Sequence, residues 1–118
     1  MTEQNDTVFG KIIRGEIPAD KVYEDDDVVA FEDQNPAAPT HILVIPKEHI
    51  VNLFDADEGE HEELLGKLML TAKKVARDQG LEDDGFRLVV NNGEGVGQTV
   101  FHLHIHVLGG RSFQWPPG

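Results

Sequence analysis

An α+β fold, one five-stranded antiparallel sheet with two helices on it, is predicted by three observations. Short runs rich in branched and aromatic side chains alternate with turn residues. One long stretch carries apolar residues at helical spacing. No repeat, low-complexity tract or linker divides the 118 residues. A chain of this length makes one compact unit, so residues 1–6 are expected as a flexible tail and 7–118 as a single domain that includes a C-terminal tail, 109–118.

Thr7 to Arg14 predicts a short helix ended near Gly15. Lys21 to Glu24, Val28 to Glu32 and His41 to Ile45 read as strands, with Pro36 and Pro39 breaking the chain between the last two. From about Glu58 to Gln79, the residues Leu64, Leu65, Leu68, Met69, Ala72, Val75 and Ala76 recur on one helical face, and Gly80 closes the helix. That face is a packing surface or a partner surface, not a cofactor box. Arg87 to Asn91 and Val100 to Leu108 complete the sheet.

The last strand carries the chemistry. In His102-Leu103-His104-Ile105-His106-Val107-Leu108, three of the chain's six histidines stand at alternate positions of an apolar run. On a β-strand all three rings share one face, leaving Phe101, Leu103, Ile105 and Val107 for the core. Imidazole nitrogens donate, accept, attack or bind metal near neutral pH, so the row suggests a surface for an anion or a metal. Its outer rings, His102 and His106, would stand roughly 13 Å apart and nearly parallel, a poor arrangement for one metal ion. His41 or His49 would have to complete a zinc site, and the lack of cysteine excludes thiolate-rich zinc. No metal or other cofactor is expected. A phosphate group fits better, because its oxygens accept from several rings while one ring attacks phosphorus.

Upstream, Asn91 to Thr99 forms a glycine-rich connection. Glycines such as Gly97 permit tight turns, exposed N–H groups can cradle an anion, and Gln98 and Thr99 add side-chain donors. The spacing Gly93-x-Gly95-x-Gly97 is not the dinucleotide fingerprint, which must open a helix where a strand follows here.

A formal charge of −12 argues against nucleic acid as a main partner. The acids cluster at Glu24 to Asp27, Asp55 to Glu63 and Glu82 to Asp84, as solvated turns and a helix start do. A phosphate entering this negative field needs local donors, and salt should screen the long-range penalty. No stretch reaches the length of a membrane span, and Met1 to Asp6 lacks the regions of a signal peptide, so a cytoplasmic location without membrane contact is expected.

The pattern His-φ-His-φ-His-φ-φ, with φ apolar, resembles the signature of the histidine triad (HIT) superfamily of nucleotide hydrolases and transferases, and residues 102–108 fit it throughout. Thr7 to Pro18, Ala38 to Ile50, Leu108 to Arg111 and the ending Trp115 to Gly118 look like its Hint branch, so the resemblance covers residues 7–118. It implies a HIT-like homodimer whose two sheets join edge to edge, with Trp115 near the partner's site. His104 would be the nucleophile, with His102, His106 and His41 shaping the site. Asn91 and Thr99 match phosphate-pocket positions, Thr99 standing where Hint proteins commonly carry serine. Asp33 matches the ribose-binding carboxylate, and Phe9, Ile12, Ile17, Phe31 and Leu43 match the walls around the purine. Read without the resemblance, Asp33 opens an ordinary turn, and Phe9 and Phe31 suit a core.

The implied activity is hydrolysis of the P–N bond in purine nucleoside 5′-phosphoramidates, derivatives of AMP or GMP, through a nucleotidyl-histidine. Two alternatives keep the same residues. One is a hydrolase of dinucleoside polyphosphates or acyl adenylates, against which the Trp-Pro-Pro-Gly tail argues. The other is a mainly non-enzymatic nucleotide-binding or protein-interaction module.

Overall fold

The computed structural model describes residues 5–118. Helix α1 (Val8–Ile13) is followed by β1 (Lys21–Glu24), β2 (Val28–Glu32), β3 (Thr40–Pro46), helix α2 (Glu62–Asp78), β4 (Arg87–Val89) and β5 (Ile105–Gly109). The five strands form one antiparallel sheet in the order β1-β2-β3-β5-β4. The two helices cover its opposite faces.

The predicted α+β architecture is therefore the observed one, and side-chain alternation explains it. Val28 and Ala30 of β2, Ile42 and Val44 of β3, and Leu103, Ile105 and Val107 face Leu68, Ala72, Val75 and Ala76 of α2. Val29, Phe31, Leu43 and Ile45 face the other way, against Phe9 and Ile12 of α1. Strands covered on both sides need apolar residues at successive positions, which β2 has from Val28 to Phe31 and β3 from Ile42 to Pro46. Each such large side chain withdrawn from water contributes roughly 1.5–3 kcal/mol.

Thr7 caps α1, its hydroxyl accepting from the Gly10 amide, and Gly15 leaves the helix at φ +77°. Four sequence expectations change. Helix α2 starts at Glu62 rather than near Glu58, because residues 57–61 close a turn with the His61 amide on the Asp57 carbonyl. Met69, placed on its apolar face, is 53% exposed, while Thr71 is buried. The stripe runs through Leu68, Thr71, Ala72 and Val75 at helical spacing, and Met69 falls outside it. Strand β4 ends at Val89, short of Asn91.

The fourth change matters most. The predicted strand from Val100 to Leu108 is ordered strand only from Ile105. Before that point the Leu103 amide donates to the Ile50 carbonyl at 2.6 Å, pulling the chain away from ladder pairing. His106 alone of the histidine row lies in a strand. Of the expected N-terminal tail, Met1 to Gln4 lie outside the described residues, whereas Asn5 bonds to His102 and Thr7.

Candidate functional site

A cleft of about 870 Å³ opens between α1, the sheet and the segment from Asp33 to Pro39. Its walls include Phe9, Ile12, Ile17, Phe31 and Leu43, and its polar groups include Asp33, His41, Thr99, His104 and His106. All ten were singled out from sequence, and the fold gathers them from four separate stretches of chain. His102, Asn91, Gly97, Gln98 and Trp115 do not line it.

Gln98 is committed elsewhere. Its amide nitrogen donates to the carbonyls of Val51 and Val100, and its oxygen accepts from the Gly93 amide. The buried side chain thus pins the glycine loop, a structural duty in place of the expected free donor. Gly97 adopts φ +106°, the left-handed region that glycine enters without strain, and turns the chain toward Thr99.

Hydrogen bonds determine which nitrogens hold protons. His104 Nδ1 lies 2.7 Å from the His102 carbonyl, which can only accept, so Nδ1 carries the proton and Nε2 keeps its lone pair. The His104 ring meets Phe9 edge-on at 5.0 Å and His106 at 4.9 Å, with the two imidazole planes 63° apart. The expected parallel row is replaced by angled rings, because the chain enters β5 only after His104.

His41 and His106 form a relay of defined polarity. The Ala37 amide donates to His41 Nδ1 at 2.9 Å, so in the neutral ring Nε2 holds the hydrogen. That hydrogen points to His106 Nδ1 at 2.8 Å. His106 must then carry its own proton on Nε2, a buried atom without a protein partner. An unprotonated nitrogen on His104 therefore neighbours a ring with an uncommitted N–H.

Burial keeps these rings neutral. Desolvation holds His106 down to about 4, aided by His104 and His41 and opposed by Asp33. His104 and His41 are lowered for the same primary reason, His104 opposed by its hydrogen bond to the His102 carbonyl and by Asp33, and His41 by Asp33. Asp33 Oδ1 accepts from the Asn35 amide, while Oδ2 lies 3.4 Å from His41 Nε2. Asp33 thus serves the turn and faces the cleft at once.

His102 sits behind the cleft, fully buried, and burial holds it at about 4. Its Nε2 lies 2.7 Å from the Pro46 carbonyl and its Nδ1 2.9 Å from Asn5 Nδ2. His49 stacks on it with ring centroids 5.3 Å apart. Sequence reasoning missed Asn5 and the backbone groups of Ala37 and Pro46, which have no side-chain signature.

Asp33, His41 and His106 also bring one potential metal ligand each within 4.8 Å of one another. Two nitrogens bound to one tetrahedral zinc at about 2.1 Å would stand roughly 3.4 Å apart. The separation of 2.8 Å between His41 Nε2 and His106 Nδ1 is that of a hydrogen bond, so these two nitrogens as arranged do not share a zinc ion.

The family described as HIT domain matches residues 14–113 of this sequence. The chain belongs to the HIT domain family. An uncharacterized HIT-like protein of Synechococcus elongatus is 62% identical over 113 residues, covering 96% of this chain and 97% of the relative. A 14 kDa zinc-binding protein of Brassica juncea is 53% identical over 115 residues, covering 96% and 100%. In three dimensions a HIT family hydrolase from Legionella pneumophila superposes with a TM-score of 0.92 at 49% identity, over 96% of this chain and all of that one. In this HIT chain the histidine row divides its labour by depth: His104 and His106 face the cleft and His102 lies behind them.

Proposed function

We propose that this HIT chain is a nucleotide-binding hydrolase that cleaves the P–N bond of purine nucleoside 5′-phosphoramidates. The observation that carries the reading is the proton pattern in the cleft, a free His104 Nε2 beside an uncommitted His106 Nε2–H. Neutral His104 attacks the α-phosphorus, the P–N bond breaks, and the amine departs with a proton taken from solvent. Water then displaces His104, frees the monophosphate and returns that proton to solvent. The His106 N–H and the Thr99 hydroxyl stabilise charge on the phosphoryl oxygens, while the apolar walls hold the base and Asp33 accepts from the ribose hydroxyls. Asn91, Gly97 and Gln98 contribute by shaping the loop that presents Thr99.

The Legionella pneumophila relative is called a hydrolase, which supports bond cleavage over binding alone. A role for zinc, raised by the name of the Brassica juncea relative, would require the His41–His106 hydrogen bond to open. A turnover panel of adenosine and guanosine phosphoramidates, diadenosine polyphosphates and acyl adenylates tests the activity. Faster cleavage of either of the latter two would replace the leaving group proposed.

Asp33→Ala is expected to weaken AMP binding about tenfold or more, the worth of a hydrogen bond to a charged group, and to leave binding of the 2′,3′-dideoxy analogue within about twofold. Equal losses for both ligands would return Asp33 to the turn alone.

The working form is a homodimer in the cytoplasm, joined through the sheet edges. β4 is an edge strand paired only to β5, and the adjacent tail is held by Arg87 on the Gln114 carbonyl and by the Arg87 and Arg111 guanidiniums over Phe113. That anchoring presents Trp115 at 81% exposure, a large apolar surface suited to a partner subunit. Sedimentation that finds only monomer at micromolar concentration would remove this part of the reading.

A further inference from the structure

Asn5 lies two residues before the capping threonine of α1 and 97 residues before its partner in the histidine row. Its side chain is used at both ends. Oδ1 accepts from the Thr7 amide at 3.1 Å and from the Thr7 hydroxyl at 2.6 Å. Because an amide N–H can only donate, this sets the orientation of the Asn5 side chain and turns Nδ2 toward His102. His102 agrees independently. Its Nε2 faces the Pro46 carbonyl and must carry hydrogen, so the neutral ring has only Nδ1 left to accept, and Nδ1 is where Asn5 donates.

A single directed chain results. The Gly10 amide donates to the Thr7 hydroxyl, that hydroxyl to Asn5, Asn5 to His102, and His102 to Pro46 at the end of β3. Gly10 makes room for it, since a Cβ there would come within 2.5 Å of Asn5 Cγ. The His102 carbonyl in turn holds the His104 Nδ1 hydrogen.

We propose that Asn5 is a positioning residue that locks His102 as the neutral Nε2–H tautomer and thereby fixes the carbonyl that orients the His104 nucleophile. Asn5 does not line the cleft and acts through His102. The titratable groups that face His102 are His49, stacked on it, and His104. Among the described residues no carboxylate balances a charge on this ring, so a donor at Nδ1 keeps it neutral and a carboxylate at that point would reverse the preference. The catalytic part of this inference rests on the proposed hydrolysis, whereas the tautomer does not.

Asn5→Asp tests this directly, because it keeps the acceptor for Thr7 and replaces the donor to His102 with a carboxylate. Long-range proton–nitrogen spectra of the histidine rings should show the neutral Nε2–H pattern for His102 in the parent and a doubly protonated ring at pH 7 in Asn5→Asp, with the His104 Nδ1 resonance displaced. Because in-line attack tolerates little misplacement, kcat should fall about tenfold while KM stays within about twofold. Asn5→Ala, which loses both contacts, should keep His102 neutral, destabilise the N-terminal turn and lower kcat less than Asn5→Asp does. A simple tether predicts the opposite order, with Ala the more damaging. An Nδ1–H pattern for His102 in the parent would overturn the proposal whether or not any variant folds. So would an unchanged ring pattern or unchanged kcat in Asn5→Asp. If the parent turns over no phosphoramidate, the proposed function fails, and the ring spectra still decide whether Asn5 sets the His102 tautomer and the His104 environment.

Discussion

His104→Ala is expected to lower phosphoramidate turnover by about a thousandfold or more, while AMP still binds within a few-fold of the parent. Binding should survive because the apolar walls, Asp33 and His106 belong to other elements, and among the described residues the deleted ring's only hydrogen bond is to the neighbouring His102 carbonyl. Chemistry should fail because no other unprotonated ring nitrogen in the cleft is free. His41 Nδ1 accepts from Ala37 and His106 Nδ1 accepts from His41, so neither lone pair is available to phosphorus. Acid or alkaline quench of the parent with substrate, read by intact mass, should find a base-stable, acid-labile nucleotidyl adduct on His104. An adduct on another residue, or near-parent turnover in His104→Ala, would make direct attack by water the better account.

Folding stability should fall by about 3 kcal/mol between pH 8 and pH 5, an unusually early acid loss. His102 and His106 titrate near 4 in the folded chain against 6.5 when unfolded. Folding therefore favours their neutral forms, and this stability is intact above 6.5 and declines as pH falls toward 4. Each fully buried ring contributes a slope of about 1.4 kcal/mol per pH unit in that window; His106, only half-buried, counts for less. His104 and His41, also lowered by burial, act in the same direction. His61 opposes them, since Glu48 raises it and its stabilisation is present at low pH and lost as pH rises. Asp25, held far down first by the Tyr23 hydroxyl, loses its contribution only at still lower pH. Urea unfolding at pH 8, 6.5 and 5 measures the sum. Equal free energies at the three values would mean that the rings are not desolvated as the structure has them.

Much of the site was legible because its signals are local. Alternation of histidine with Leu103, Ile105 and Val107 separates chemistry from packing, and the structure keeps that separation at Leu103 and His104, before the strand begins, but not at His102, which is buried behind the cleft. Strands β1 and β2 were placed to the residue since runs of acids and a proline-rich turn bound them. The start of α2 was misplaced because Glu58 to His61 has good helix-terminal composition, yet the His61 ring accepts from the Asp57 amide and reaches Glu48, contacts that closed a turn instead. Gln98 looked like a ligand donor for a related reason: an amide beside a glycine loop has the same composition whether it faces a phosphate or braces the loop.

The sequence by itself determined the antiparallel sheet with its two helices, the apolar faces that build the core, and the histidine row, because side-chain type and periodicity are properties of neighbouring positions, whereas Asp33 and the apolar walls were singled out only through the resemblance to the HIT family. Only the tertiary structure decided which histidine nitrogen holds a proton and which is free to attack. Those choices belong to the Ala37 amide, the His102 and Pro46 carbonyls and the Asn5 side chain, groups gathered from distant stretches of chain. A tautomer depends on the donor or acceptor facing each nitrogen, and backbone donors and acceptors are the same at nearly every residue until folding aims them.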